Sequence, residues 1–164
     1  MVGGSENQVY NAKNYAKKLG ITENILIEGF LAEKELFKAY TDSDIYVTMT
    51  TYEGFYRPII EAFMTGMPAI VYDARLITRE NGIIAQVNHV LKSGGGLLFD
   101  GTAGSFMDAI NIIIRDYNYY SSMAVEYSYQ FKSEKIINEY VSLIDKLRNT
   151  KFETKEVHKM PKEI

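Results

Sequence analysis

Two hydrophobic patterns alternate along this chain. Short unbroken apolar runs, "NILIEGF" (Asn24 to Phe30), "DIYVTM" (Asp44 to Met49), "PAIVYD" (Pro68 to Asp73) and "GGGLLFD" (Gly94 to Asp100), have the length of strands. Between them apolar residues recur every three or four positions, as on a helix face. "VGGS" (Val2 to Ser5) has the form of a strand end entering a glycine turn. Helices are expected over Gln8 to Leu19, stopped by Gly20, and over Glu33 to Tyr40. Another runs from Pro58, at its first position, to Gly66 just past its end. A helix weakened by Gly82 is expected over Ile77 to Leu91. Ser105 with Asp108 resembles a capping box ahead of an apolar face of Phe106, Ala109, Ile110, Ile113 and Ile114. A short helical piece follows Asp116. Ser133 caps a last helix with Ile136, Ile137, Tyr140, Val141, Ile144 and Leu147 on one side.

Continuous apolar strands alternating with helices predict a parallel sheet buried on both faces. The fold class is therefore α/β: a doubly wound, Rossmann-like parallel sheet flanked by helices. Ligands in such sheets bind beyond the carboxyl ends of the strands. Gly3, Gly29, the loop from Thr50, Asp73 and Asp100 all fall at that edge. Residues 1–149 read as one domain. The polar stretch "TKFETKEVHKMPKEI" (150–164) reads as a tail. The first recognisable feature is the end of a strand, so the domain is expected to be truncated at its N-terminus, lacking its first strand or strands.

Composition narrows the classes. The 164 residues are 46% hydrophobic, enough for a core, and carry a net charge of −3, which gives no basic field for nucleic acid. No cysteine is present, which removes disulfides and thiolate metal sites and suits a reducing compartment. Only two histidines occur, His89 and His158, so a histidine-rich metal site is not expected. No apolar run is long enough to span a bilayer, and "MVGGSENQVY" is not a signal peptide. Thirteen tyrosines with no tryptophan carry no functional meaning at this level.

Candidate chemistry concentrates in "TYEGFYRPIIEAF" (Thr51 to Phe63), where Glu53 and Glu61 are separated by seven residues across a loop-to-helix junction. Free amides at a helix start favour an anion. Gly54 allows close approach, and Arg57 could pair with a phosphate. A carboxylate such as Glu61, placed in the first helical turn, can accept two hydrogen bonds at once, which suits a vicinal diol. Glu53 could reach another part of the same ligand. The plainer alternative is helix-dipole complementation by Glu61, with Glu53 a solvated loop residue paired to Arg57.

The segment "ENILIEGFLAEKELFKAYTDSDIYVTMTTYEGFYRPIIEAFMTGMPAIV" closely resembles the C-terminal, donor-binding domain of family 4, or group 1, glycosyltransferases. These are retaining enzymes of GT-B fold, and the glutamate pair with "GMP" after it is their signature. The resemblance covers roughly Val2 to Leu147. It implies transfer of a hexosyl group from a UDP-, GDP- or ADP-linked sugar to a hydroxyl acceptor such as a glycan or lipid-linked sugar. Glu61 would bind the donor ribose, and Glu53 would act as the catalytic carboxylate, contacting or positioning the transferred sugar. Thr51 and the amides of Gly54, Phe55 and Tyr56 would lie near sugar and diphosphate, with Arg57 beside them. Gly29, Phe30 and Leu31 would border the base, and Gly3 would belong to the strand-end turn. No metal or other cofactor is implied. An N-terminal acceptor domain, in the same or another chain, would complete the cleft, and the isolated fragment would be inactive. A cytoplasmic location follows, peripheral at the membrane for lipid-linked acceptors.

Departures from the family pattern are local. Tyr56 stands where the family has glycine, and Glu80 only weakly matches a sugar-recognition residue. Other readings are a non-catalytic truncated domain that binds nucleotide or a protein, and a sugar-nucleotide epimerase of the same architecture. His89 reads as a surface or half-buried helix residue, Asp73 and Asp100 as caps or turn residues. Gly94 to Gly96 read as a loop rather than a phosphate cradle, because no Lys-Ser or Lys-Thr follows.

Overall fold

A computed structural model of the chain describes residues 3–77 and 83–149. The chain divides after Ser128 into two units. In the first, α1 (Glu6–Lys18) and α2 (Glu33–Thr41) lead to strand β1 (Tyr46–Thr48). Helix α3 (Arg57–Met64), strand β2 (Ala69–Tyr72), helix α4 (Ala85–Ser93), strand β3 (Gly96–Phe99) and helices α5 (Ala103–Arg115) and α6 (Tyr117–Ser128) follow. The second unit holds helix α7 (Ser133–Asn149).

The three strands form one parallel sheet in the order β1-β2-β3. β2 is central, and Ala69, Ile70 and Val71 on both its faces are fully buried, as unbroken apolar strands require. Ile70 packs with Phe99, Ala109 and Ile113, so α5 covers one face. Ala69 and Val71 point the other way, toward the layer containing α3, α4 and α6, whose Ile59, Phe63, Val87 and Ala124 are buried. Through the ladder, Tyr46 and Thr48 pair with Ala69 and Val71 and so share that second face.

Helix ends follow the sequence signals in most places. Gly20 at φ +69° closes α1: its amide bonds Lys17 O, and that of Ile21 bonds Ala16 O, the paired bonds of a Schellman motif. The glycine run is structural at each position. Gly94 ends α4 at φ +66°. A Cβ on Gly95 would lie 2.7 Å from Ala124 Cα in α6, and one on Gly96 would lie 2.1 Å from Ala69 O across the ladder.

Several expectations are corrected. Asn24 to Phe30 is not a ladder strand: strands exist by pairing, the ladder among the described residues is β1-β2-β3, and Leu26 lies 71% exposed. The helix expected from Ile77 starts only at Ala85. Before it lies a 3-10 turn at Ala74–Leu76, held because the Asp73 side chain accepts the Arg75 amide. Gly82 and Glu80 lie outside the described residues. Ser105 does not cap α5: Thr102 does, its hydroxyl accepting the Ser105 amide, so Ser105 is already inside the first turn. Ile114 faces solvent, while Phe106, Ala109, Ile110 and Ile113 join the core. The piece after Asp116 is a full 12-residue helix, packed against the glycines of the sheet side. In α7 the predicted apolar side chains are 37–64% exposed among the described residues. The 150–164 tail lies outside them.

Candidate functional site

The loop after β1 turns the chain into α3 through Tyr56, which sits at φ +57°, ψ +67° as the residue capping the helix. Among the described residues it is the one non-glycine with positive φ. A Cβ in this region costs about 1 kcal/mol. The phenol supplies compensation, because its oxygen lies 2.8 Å from Tyr46 Oη and 2.7 Å from Thr48 Oγ1. Thr48 Oγ1 also contacts Thr50 Oγ1 at 3.0 Å and accepts the Thr50 amide at 3.3 Å. Hydroxyl bonds of this kind contribute roughly 0.5–1.5 kcal/mol each. Thr48 itself is buried, so its hydroxyl needs these partners.

Other ties hold the same loop. Glu53 makes a parallel bridge to Ile84: its amide bonds Ile83 O at 3.0 Å and its carbonyl accepts from Ala85 N at 3.0 Å. Gln86, fully buried in α4, donates through Nε2 to Thr50 O at 2.7 Å, while its Oε1 has no partner among the described groups. His89 Nε2 lies 2.5 Å from Phe55 O, and its Nδ1 lies 3.0 Å from Tyr127 Oη. A carbonyl only accepts, so Nε2 carries the proton and neutral Nδ1 accepts from the tyrosine. Burial pushes the His89 pKa down. The same cause holds the Tyr127 phenol up. His89 is thus a buried helix residue that grips the loop.

Glu61 is not in the first helical turn as the sequence suggested. Because α3 begins at Arg57, Glu61 is its fifth residue and Pro58 its second. Helix-dipole complementation therefore does not explain it. Its Oε2 accepts from Tyr40 Oη at 3.1 Å, and its Oε1 lies 3.9 Å from Arg57 Nη2. That ion pair is solvent-facing and weak. Burial, then the Glu61 charge, raises the Tyr40 phenol well above its ordinary value. Burial and the bond to Tyr56 do the same for Tyr46. Both remain protonated donors at neutral pH.

These groups border a cleft of about 780 Å³ that runs along β1, from Ser43 and Ile45 before the strand to Met49 and Tyr56 beyond it. Gly3, Gly29, Phe30, Leu31, Tyr56 and Glu61 line it together with Tyr40, Tyr46 and Thr48. The Gly3 amide bonds Gly29 O at 3.0 Å, joining the two glycine segments. Phe30 stands 93% exposed at the cleft. Thr51, Glu53, Gly54, Phe55 and Arg57 lie on the adjoining loop and helix start, outside that lining. A Cβ on Gly54 would meet nothing within 4 Å, so the loop is open there.

Asp73 and Asp100 occupy the carboxyl edge of the sheet but are spent on local structure. Asp73 accepts two bonds from the Arg75 guanidinium, at 2.7 and 2.6 Å, and these hold its carboxyl below the usual range. Asp100 accepts from Ser105 and Thr102 hydroxyls and the Thr102 amide, which lowers its pKa to about 2. Among the described residues no three His, Cys, Asp or Glu side chains converge as a metal-binding set. Sequence reasoning passed over Tyr40, Tyr46, Thr48 and Gln86, and read His89 as a surface or half-buried helix residue where it is buried against the loop. The tyrosine excess was the available signal, with Tyr46 and Thr48 two apart on one strand face.

Comparison with known proteins adds context. A family model described as Glycosyl transferases group 1 matches residues 1–131. Mannosylfructose-phosphate synthase from Agrobacterium fabrum is 32% identical over 59 residues, covering 36% of this chain and 13% of that protein. Sucrose-phosphate synthase from Thermosynechococcus elongatus shares the fold with a TM-score of 0.69 at 21% identity, over 90% of this chain and 37% of its own. HepE from Anabaena, solved with UDP and with UDP-glucose, gives 0.62 at 20% identity, over 91% of this chain and 40% of that one. The chain thus spans two fifths or less of the length of these relatives.

Proposed function

The chain belongs to the group 1 glycosyl transferases, and from that premise we propose that its cleft holds a nucleotide-diphosphosugar for transfer of a hexosyl group to a hydroxyl acceptor, with retention of configuration. The supporting observation is the cleft itself, which runs along the edge strand β1 of a parallel sheet and gathers Gly3, Gly29, Phe30, Leu31 and Glu61. In this reading Glu61 accepts the ribose diol. Among the described residues its Oε1 faces a solvent-exposed guanidinium 3.9 Å away, and its Oε2 is steadied by Tyr40. Phe30 offers an exposed aromatic face to the base.

The diphosphate would lie toward the start of α3, where Arg57 and the amides around Pro58 oppose the charge that grows as it departs. The bond from the anomeric carbon to the diphosphate breaks. The acceptor oxygen bonds the same face of that carbon, and its proton leaves with the diphosphate. Glu53, held by its backbone beside the loop, is the carboxylate assigned to the transferred sugar. Thr51, Gly54 and Phe55 complete the sugar side. No metal is required in this scheme. The acceptor and the domain that brings it belong to the rest of the enzyme, which acts in the cytoplasm.

UDP comes first among the candidate nucleotides because HepE was solved with UDP and UDP-glucose. A thermal-shift panel of UDP, GDP, ADP and their sugar conjugates on wild type and Glu61→Ala tests the reading. One nucleotide should raise the melting point of the wild type, and the shift should shrink in Glu61→Ala. No shift at millimolar ligand in a folded sample would remove the donor-site assignment. A binding-only domain is the second reading. It is favoured by the Tyr56 ring standing in the cleft, and it would show as a nucleotide shift without any transfer once the acceptor half is supplied.

A further inference from the structure

We infer that Tyr56 is a positioning residue: its phenol, clasped by Tyr46 and Thr48, sets the Thr51–Arg57 loop in its ligand-receiving shape before any ligand arrives. The inference rests on the nucleotide-sugar reading for what the loop receives, though not for how the loop is held. Three observations carry it. A residue with a Cβ does not keep φ +57° unless its surroundings impose it. The imposing contacts here are two hydroxyls, both on β1. β1 is in turn fixed in register by its ladder with β2, so the phenol ties a loop backbone angle to the sheet.

Hydrogen counting shows how little slack the arrangement has. Thr48 Oγ1 accepts the Thr50 amide and touches two further hydroxyls, so it must accept from one and donate to the other. Its capacity is full. Removing the Tyr56 hydroxyl leaves Thr48 and Tyr46 each short of a partner. The neighbouring ties act beside it: Ile83 and Ala85 hold Glu53, and His89 holds the Phe55 carbonyl and with it the peptide that enters Tyr56. The phenol anchors the same turn from the Tyr56 side chain. Since Arg57 is the first residue of α3, that turn decides where its guanidinium and the first helical amides point.

The test uses the full chain as wild type, Tyr56→Phe, Thr48→Val and the double variant. Without nucleotide, 15N relaxation should give order parameters of about 0.85 for the amides of Gly54, Phe55 and Tyr56 in the wild type. They should fall below about 0.6 in each single variant, with β2 amides unchanged. In a titration with UDP-glucose each single variant should bind roughly tenfold more weakly, and the double variant no more weakly than either. Unchanged loop order, an equal loosening of β2, or unchanged UDP-glucose affinity beside a loosened loop would each overturn the inference. A wild type that binds no UDP-glucose removes the nucleotide-sugar reading instead, and the relaxation comparison still decides the role of Tyr56.

Discussion

His89 joins three elements through two ring nitrogens: α4, which carries it, the loop at Phe55, and α6 at Tyr127. The neutral ring suits both contacts. Burial lowers its folded pKa from 6.5, and the nearby Lys92 charge acts in the same direction. The unfolded chain therefore takes up the proton first as pH falls. The stability contributed by His89 is complete above about pH 6.5 and is lost as pH drops through the folded pKa. Urea unfolding at pH 7.5 and 5.5 should show this loss in the wild type. His89→Leu, which deletes both bonds, should lower stability at pH 7.5 by about 1–3 kcal/mol and shrink the difference between the two pH values. An undiminished pH difference in the variant would assign the effect to another group.

At the scale of elements, the close seat of α6 on the glycine run has the clearest consequence. A Cβ on Gly95 would fall inside contact distance of Ala124 backbone atoms, which cannot swing aside as a long side chain can. Gly95→Ala should cost on the order of 1–3 kcal/mol, read as a lower urea midpoint at unchanged slope. Gly104→Ala, inside α5 where a Cβ meets nothing within 4 Å, is the matching control and should hold or raise the midpoint, not lower it.

Element identity was legible where periodicity and end signals agreed. The Gly20 stop of α1, the buried run of β2 and the helix after Pro58 are examples. It was not legible where pairing decides, since "NILIEGF" has the composition of a strand but no place in the ladder. Helix starts failed by small shifts with large meaning. One residue moved Glu61 out of the first turn, and a better cap at Thr102 displaced Ser105. The glutamates and glycines of the site were visible in sequence. The hydroxyls and the imidazole that hold its loop were not, because Gln86 lies 36 positions from its partner Thr50 and His89 34 from Phe55.

For the molecule as a whole, ligand and fold are thermodynamically coupled. A nucleotide-sugar that binds only the folded chain adds about 2.7 kcal/mol at a hundred times its Kd. For a chain of 164 residues that is a rise in Tm of roughly 5–10 °C. Titrating UDP-glucose while scanning the melt should give a midpoint that climbs with the logarithm of concentration above Kd. A midpoint that plateaus just above zero shift would mean that the unfolded chain binds as well.

The left-handed turn at residue 56 also constrains how this sequence can change. Tyrosine at residue 56 and the hydroxyls at positions 46 and 48 support one another, and losing any one of the three leaves the others short of a partner. The three positions are therefore epistatic: a second change among them costs less than it would alone. Residues at this corner of the protein are expected to change together rather than singly.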